Sequence, residues 1–134
     1  MYCDTAPVIY TIEKHIDFWP MLEPFWLSTK EKEAIAVTSE LTLLETLVLP
    51  MRENNETLIT EYETLLTKTD VVLSPITIDI LRSAARFRAA LNLKTPDAIH
   101  AASAAASNCA YFLTNDDGFR RLSDIKVVVL NELI

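Results

Sequence analysis

Five short runs of β-branched, aromatic and other apolar residues recur along the chain: Met1 to Cys3, Ile35 to Thr38, Val71 to Leu73, Tyr111 to Thr114 and Val127 to Leu130. They are largely apolar on successive positions rather than alternate ones, the pattern of strands covered on both faces. Between them the apolar spacing changes to three and four, over Pro7 to Lys14, Ser39 to Val48 ahead of Pro50, Asn55 to Leu66 and Thr77 to Leu91. Strands alternating with helices predict a three-layer α/β/α sandwich around a central parallel sheet of about five strands.

The sharpest local signal is Thr95-Pro96-Asp97, which reads as an N-cap, a proline at the first helical position and an acid in the first turn. Ala98, Ala101, Ala102 and Ala105 continue that helix with small residues that let its backbone lie close to the sheet, and Ser107-Asn108 ends it. Pro20 and Pro24 interrupt the aromatic stretch Phe18 to Leu27, which leaves its helical content open; its apolar side chains suggest a partner surface. No repeat, linker or low-complexity tract divides the chain. Its 134 residues fit a single domain, 1–134, with a core that needs neither disulfides nor a structural metal.

Composition narrows the chemistry. Half of the residues are hydrophobic and 23% are charged, so the chain should fold. No window reaches the roughly 18 apolar residues of a membrane span, and Met1-Tyr2-Cys3-Asp4 begins no signal peptide, so a soluble, cytoplasmic protein is expected. Cys3 and Cys109 lie in separate apolar runs, as reduced core residues would. The chain has one glycine, Gly118, which excludes the GxGxxG and GxxxxGK phosphate loops; GxSxG and HExxH are also absent. Catalysis, if the chain performs any, must rest on carboxylates.

In open parallel sheets ligands bind beyond the carboxyl ends of the strands, so acids that follow strands carry weight. Asp4 follows the first predicted strand and Asp116 the fourth, while Glu45 lies on the helix leaving the second strand and Asp97 opens the helix feeding the fourth. Singly, each has an ordinary explanation as a cap, turn or first-turn acid. Glu45 tips the balance: its helix places Leu41, Leu44 and Val48 on a neighbouring stripe, which sets the carboxylate at the edge of a core or cleft.

Four motifs, in order, resemble the PIN-domain ribonucleases, and among them the small toxins of the VapC type. They are Tyr2-Cys3-Asp4-Thr5 followed by Ile9-Tyr10, Thr42-Leu43-Leu44-Glu45, Thr95-Pro96-Asp97-Ala98-Ile99-His100-Ala101-Ala102, and Leu113-Thr114-Asn115-Asp116. The third and fourth are the most specific, and the resemblance spans nearly the whole chain. It implies a metal-dependent endoribonuclease in which Asp4, Glu45, Asp97 and Asp116 form the site, with Thr5, Thr114 and Asn115 in support. It makes Asp4, Asp97 and Asp116 the direct ligands of one or two Mg²⁺ or Mn²⁺ ions and leaves Glu45 to bind through water or to help activate the nucleophile. It also implies an RNA substrate, a cognate antitoxin and a homodimer.

Elementary electrostatics agrees about the metal, because two like charges about 4 Å apart repel by roughly 4 kcal/mol at an effective dielectric near 20. Hard oxygen donors select hard cations. Glu40 competes with Glu45 for the second motif, but it suits a first-turn position after Ser39; Asp117 competes with Asp116 and reads as a loop acid. His100 reads as a packed or hydrogen-bonded structural residue outside the site. Arg120 and Arg121, which follow Asn115-Asp116, and Arg82 and Arg86, spaced i, i+4, are candidates for the RNA backbone, with Asp79 available to pair with Arg82. The net charge of −7 runs against a nucleic-acid enzyme. Neutralising the four acids brings it to −3, and bound cations lower the local field further.

Two other readings compete: a PIN nuclease of RNA maturation, or acting on DNA, that works without an antitoxin, and a catalytically silent PIN-like interaction module. A receiver domain also clusters acids, but it needs a lysine after a late strand, whereas Lys126 precedes the last one.

Overall fold

Successive residues of a strand point to opposite faces, and this alternation divides the core in two. Tyr2 and Phe112 belong to one apolar cluster with Ile80, Ala84, Ala98, Ala101 and Ala102. Their neighbours Cys3 and Leu113 belong to the other, with Val8, Leu22, Leu47, Tyr62 and Leu66. In the computed structural model, which describes residues 1–134, the strands are β1 (Tyr2–Cys3), β2 (Val37–Ser39), β3 (Val72–Ser74), β4 (Tyr111–Thr114) and β5 (Lys126–Val129). They form one sheet in the order β3-β2-β1-β4-β5, with every pairing parallel.

The helices are α1 (Thr5–Ile12), α2 (Trp19–Lys30), α3 (Glu40–Arg52), α4 (Glu56–Thr67), α5 (Ile78–Leu91) and α6 (Thr95–Ala106). Residues of α5 and α6 fill the first core cluster and residues of α1 to α4 the second, giving the three layers expected from the sequence. The first three strands run outward from β1 in one direction, and β4 and β5 extend from its other side. The strand order therefore reverses between β1 and β4, where α/β folds open a crevice at the strand ends.

Local structure settles one open point of the sequence and departs from its expectations at two others. Phe18 to Leu27 is helical for nearly its whole length despite two prolines. Pro20 falls in the first turn, where no intrahelical partner for its N–H exists, so only Pro24 interrupts the ladder. Buried Leu22 and a bond from Trp26 Nε1 to Thr11 Oγ1 (2.8 Å) hold the helix against the domain. Helix α3 runs past Val48 to Arg52, carrying Pro50 as a buried core residue, so tertiary packing outweighs the cost of about 3 kcal/mol that an interior proline imposes. Finally, Lys94 rather than Thr95 is the N-cap of α6 and offers no capping bond. Thr95 Oγ1 instead accepts from Arg88 Nη1 at 2.9 Å, while Arg88 Nε donates to Leu93 O at 3.0 Å; these bonds tie the start of α6 to α5.

Candidate active site

Where β1 and β4 end side by side, the chain builds a notch from short polar side chains. The Asp4 backbone N–H donates to Leu113 O at 2.9 Å, which aligns the two strand ends. Asp4 is the N-cap of α1, its Oδ1 accepting from the Thr5 N–H at 2.8 Å, so the carboxylate meets the positive end of the helix dipole. Its Oδ2 accepts from Thr114 Oγ1 at 2.7 Å, and the same hydroxyl oxygen accepts from the Asp116 N–H at 3.0 Å. The fully buried Thr114 therefore fixes the acids of both strands with one hydroxyl.

Asp116 Oδ1 accepts from the Gly118 N–H at 2.8 Å, opening a short 3₁₀ turn over Asp117–Arg121. A Cβ at position 118 would stand 3.0 Å from that oxygen, so glycine lets the loop close on the carboxylate. Asn115 clamps the loop from outside: its Nδ2 donates to Tyr10 OH at 3.0 Å and its Oδ1 accepts from the Asn131 N–H at 2.8 Å. Asp117, the first residue of the turn, is exposed.

Glu45 reaches the notch from the neighbouring layer. Its Oε1 accepts from Thr5 Oγ1 at 2.7 Å and from His100 Nε2 at 2.8 Å. Burial alone would raise its pKa, but the bonds from His100 and Thr5 outweigh that and lower it below the usual glutamate value. Glu40 points elsewhere, its Oε1 accepting from the Ile76 N–H at 2.8 Å as a latch between α3 and the segment entering α5.

Asp97, in the first turn of α6, is the opposite case. Burial raises its pKa first, and the charges of Asp116, Asp4 and Glu45 add to the rise; no hydrogen bond offsets them. The four carboxylates thus act on one another through space. They form an open notch, and no three acidic, histidine or cysteine side chains are already gathered in a metal-holding arrangement. The donor set nevertheless suits a hard divalent cation: all donors are carboxylate oxygens, and the most frustrated lacks any hydrogen-bond donor of its own.

The sequence reading left His100 outside the site. The structure buries it, as expected of a structural residue, but its imidazole spans the gap behind the notch: Nε2 lies 2.8 Å from Glu45, 3.2 Å from Thr5 Oγ1 and 3.5 Å from Asp4 Oδ1. Asp97 and His100 stand one turn apart on α6, but that spacing alone does not separate a site residue from a packed one, and the contact with Glu45 that does spans 55 residues of chain.

Three of the four candidate arginines have local partners. Arg82 pairs with Asp79 at 3.2 Å where both side chains are largely exposed, a contact worth little. Arg120 forms an ion pair with Glu132. Arg121 Nη1 donates to Leu91 O at 3.0 Å at the end of α5. Arg86 is exposed.

A family model described as PIN domain matches residues 1–125. No curated protein sequence matches the chain. Among solved structures, the fold is similar to VapBC2 from Rickettsia felis bound to a promoter DNA fragment, with 19% identity, a TM-score of 0.74 and 96% of each chain covered. It is also similar to a toxin–antitoxin complex from Klebsiella pneumoniae, with 21% identity, a TM-score of 0.71 and 96% and 95% covered. A third likeness, to VapBC-5 of the VapBC toxin–antitoxin family from Mycobacterium tuberculosis, has 25% identity and a TM-score of 0.53 over 70% of this chain and 81% of that one.

Proposed function

Because the chain belongs to the PIN domain family, we propose that it is a divalent-metal-dependent endoribonuclease acting as the toxin of a type II toxin–antitoxin pair. The observation that carries this reading is the convergence of Asp4, Glu45, Asp97 and Asp116 on one notch at the switch point of the sheet, with the pKa of Asp97 raised by burial and its acidic neighbours. Asp4, Asp97 and Asp116 would hold Mg²⁺ or Mn²⁺. A bound ion of this kind supplies a polarised phosphoryl oxygen and a water of lowered pKa, the two requirements of phosphodiester hydrolysis.

The remaining work falls to the chain. Thr114 keeps the Asp4 and Asp116 carboxylates at fixed separation, Thr5 directs Asp4 and Glu45, and Asn115 holds the loop that carries Asp116. Glu45, with its lowered pKa, stays ionised and is the group available to orient an attacking water or accept its proton. Arg86, Arg82, Arg120 and Arg121 are the cations available to the RNA backbone. The last three would exchange local partners for phosphates.

The toxin–antitoxin neighbours support an antitoxin partner. The face it would cover is that of α2, where Trp19 and Trp26 line a cleft of about 630 Å³. A second copy of the chain would cover the exposed apolar stripe of Leu44, Val48 and Met51 on α3. No helix is long and apolar enough to cross a membrane, in keeping with action in the cytoplasm.

A silent interaction module draws on one observation, the lack of a ready-made metal-holding arrangement. Against it stands the cost of keeping four carboxylates together, three of them partly buried, with no role for them. Total cellular RNA incubated with purified protein separates the two readings. The nuclease yields discrete fragments with Mg²⁺ or Mn²⁺, none with EDTA, and none from Asp4→Asn or Asp97→Asn. Cleavage that ignores EDTA or survives both substitutions overturns the reading.

A further inference from the structure

Behind the notch lies a buried pair of side chains whose hydrogens can be assigned from their surroundings. Tyr2 is fully buried and His100 is 1% exposed. Tyr2 OH stands 2.6 Å from His100 Nδ1, with the two rings edge to face. Nε2, at the other edge of the ring, faces the acceptor-only oxygen Glu45 Oε1 at 2.8 Å and needs the ring's proton there, so Nδ1 is left to accept the phenol hydrogen.

An imidazole that accepts at Nδ1 carries its proton at Nε2. That N–H meets Glu45 Oε1 at 2.8 Å, the same oxygen that accepts from Thr5 Oγ1 at 2.7 Å. The chain of donors runs in one direction, from phenol to imidazole to carboxylate, and needs no charge on the ring. It engages one oxygen of Glu45 and leaves the other unengaged. We infer that Tyr2 and His100 are positioning residues, a neutral relay that selects the Nε2–H tautomer and thereby fixes the Glu45 carboxylate at the acidic notch. The inference rests on Glu45 belonging to the proposed nuclease site.

The tautomer is read first, by ¹⁵N NMR of histidine-labelled, metal-free protein, with His15→Asn to assign the two histidines. Wild-type His100 should show a pyrrole-type Nε2 and a pyridine-type Nδ1, and Tyr2→Phe should shift it toward a mixture. In RNA cleavage, His100→Leu should lower kcat roughly 10- to 100-fold with KM little changed, as loss of an orienting partner does. His100→Gln, whose amide N–H replaces the Nε2 donor, should restore most of that rate. Tyr2→Phe should slow the wild type but add nothing in the His100→Gln background, where no tautomer remains to be chosen.

An Nδ1–H tautomer in the wild type overturns the relay, as does a folded His100→Leu that cleaves normally. A wild type that cleaves no RNA overturns the nuclease reading instead; the tautomer and its response to Tyr2→Phe then still decide the relay.

Discussion

The two helix-borne halves of the notch are built on opposite principles. On the α3 side, Glu45 receives two donors and its pKa falls; on the α6 side, Asp97 receives none, faces three other carboxylates, and its pKa rises. The first half is an interaction completed within the chain. The second is left incomplete, and what it lacks is positive charge. Like charges gathered without a counter-charge are a recurrent cost of functional sites, so under the proposed function Asp97 is the position where a cation would gain most.

The contrast breaks if the two acids respond alike to neutralisation. Both Asp97→Asn and Glu45→Gln should lose metal-dependent cleavage, by about 100-fold or more. Their metal-free stabilities should move in opposite directions: Asp97→Asn relieves repulsion and raises Tm by a few degrees, whereas Glu45→Gln weakens two charge-assisted bonds and lowers it, at a cost of about 1–2 kcal/mol. Saturating Mn²⁺, at about 100 times its Kd, should stabilise the wild type by about 2.7 kcal/mol and Asp97→Asn by much less. Calorimetry with and without the ion reads both effects; equal shifts in the two variants would remove the asymmetry.

Thr114 serves the strand-borne acids as His100 serves Glu45, likewise from full burial but with a single hydroxyl. Thr114→Val keeps the shape and removes both bonds, leaving the Asp116 N–H unpaired, for an expected loss of about 1–3 kcal/mol by denaturant titration together with weaker Mn²⁺ binding. A variant that keeps wild-type affinity would show that the strand-end acids need no fixing.

The asymmetry also has a pH signature. A carboxyl whose folded pKa is raised contributes stability at low pH that is lost as pH rises through that pKa, so metal-free wild type should fall progressively behind Asp97→Asn as pH rises above the ordinary aspartate range. Glu45 behaves in reverse: its contribution is present above the unfolded glutamate pKa and fades as pH falls through the lower folded value. The Tm gap between wild type and Asp97→Asn, followed against pH, should therefore widen upward. A flat gap would mean that Asp97 titrates as an ordinary surface acid.

How much of this was legible in the sequence depended on range. The five strands and the layer order follow from apolar runs, because burial on both faces leaves a local trace. The placement of Asp4 and Asp116 followed from the general rule about strand ends; the apolar stripe that pointed to Glu45 did not hold, for Leu44 and Val48 are exposed and α3 buries Thr42, Thr46, Leu47 and Pro50 instead. What stayed hidden was long-range or packing-dependent: Pro24 and Pro50 inside helices, Arg88 in place of a threonine cap, and the contact between His100 and Glu45 across 55 residues of chain. Propensity describes a residue's neighbours in sequence, and each of these was decided by neighbours in space.

The smallest expected effect tests the Asp116 side alone. Gly118 has an ordinary backbone conformation, so alanine there brings no strain in φ and slightly restricts the unfolded chain. Its Cβ, however, would stand 3.0 Å from Asp116 Oδ1, the oxygen that accepts the Gly118 N–H, and would push that carboxylate outward by a few tenths of an ångström. Stability should change by less than about 1 kcal/mol, while Mn²⁺ affinity should fall about threefold from the misplaced ligand. The His100 tautomer, on the other side of the notch, should not move. Unchanged affinity would place Asp116 outside the ion's direct contacts and leave Asp4 and Asp97 to hold it.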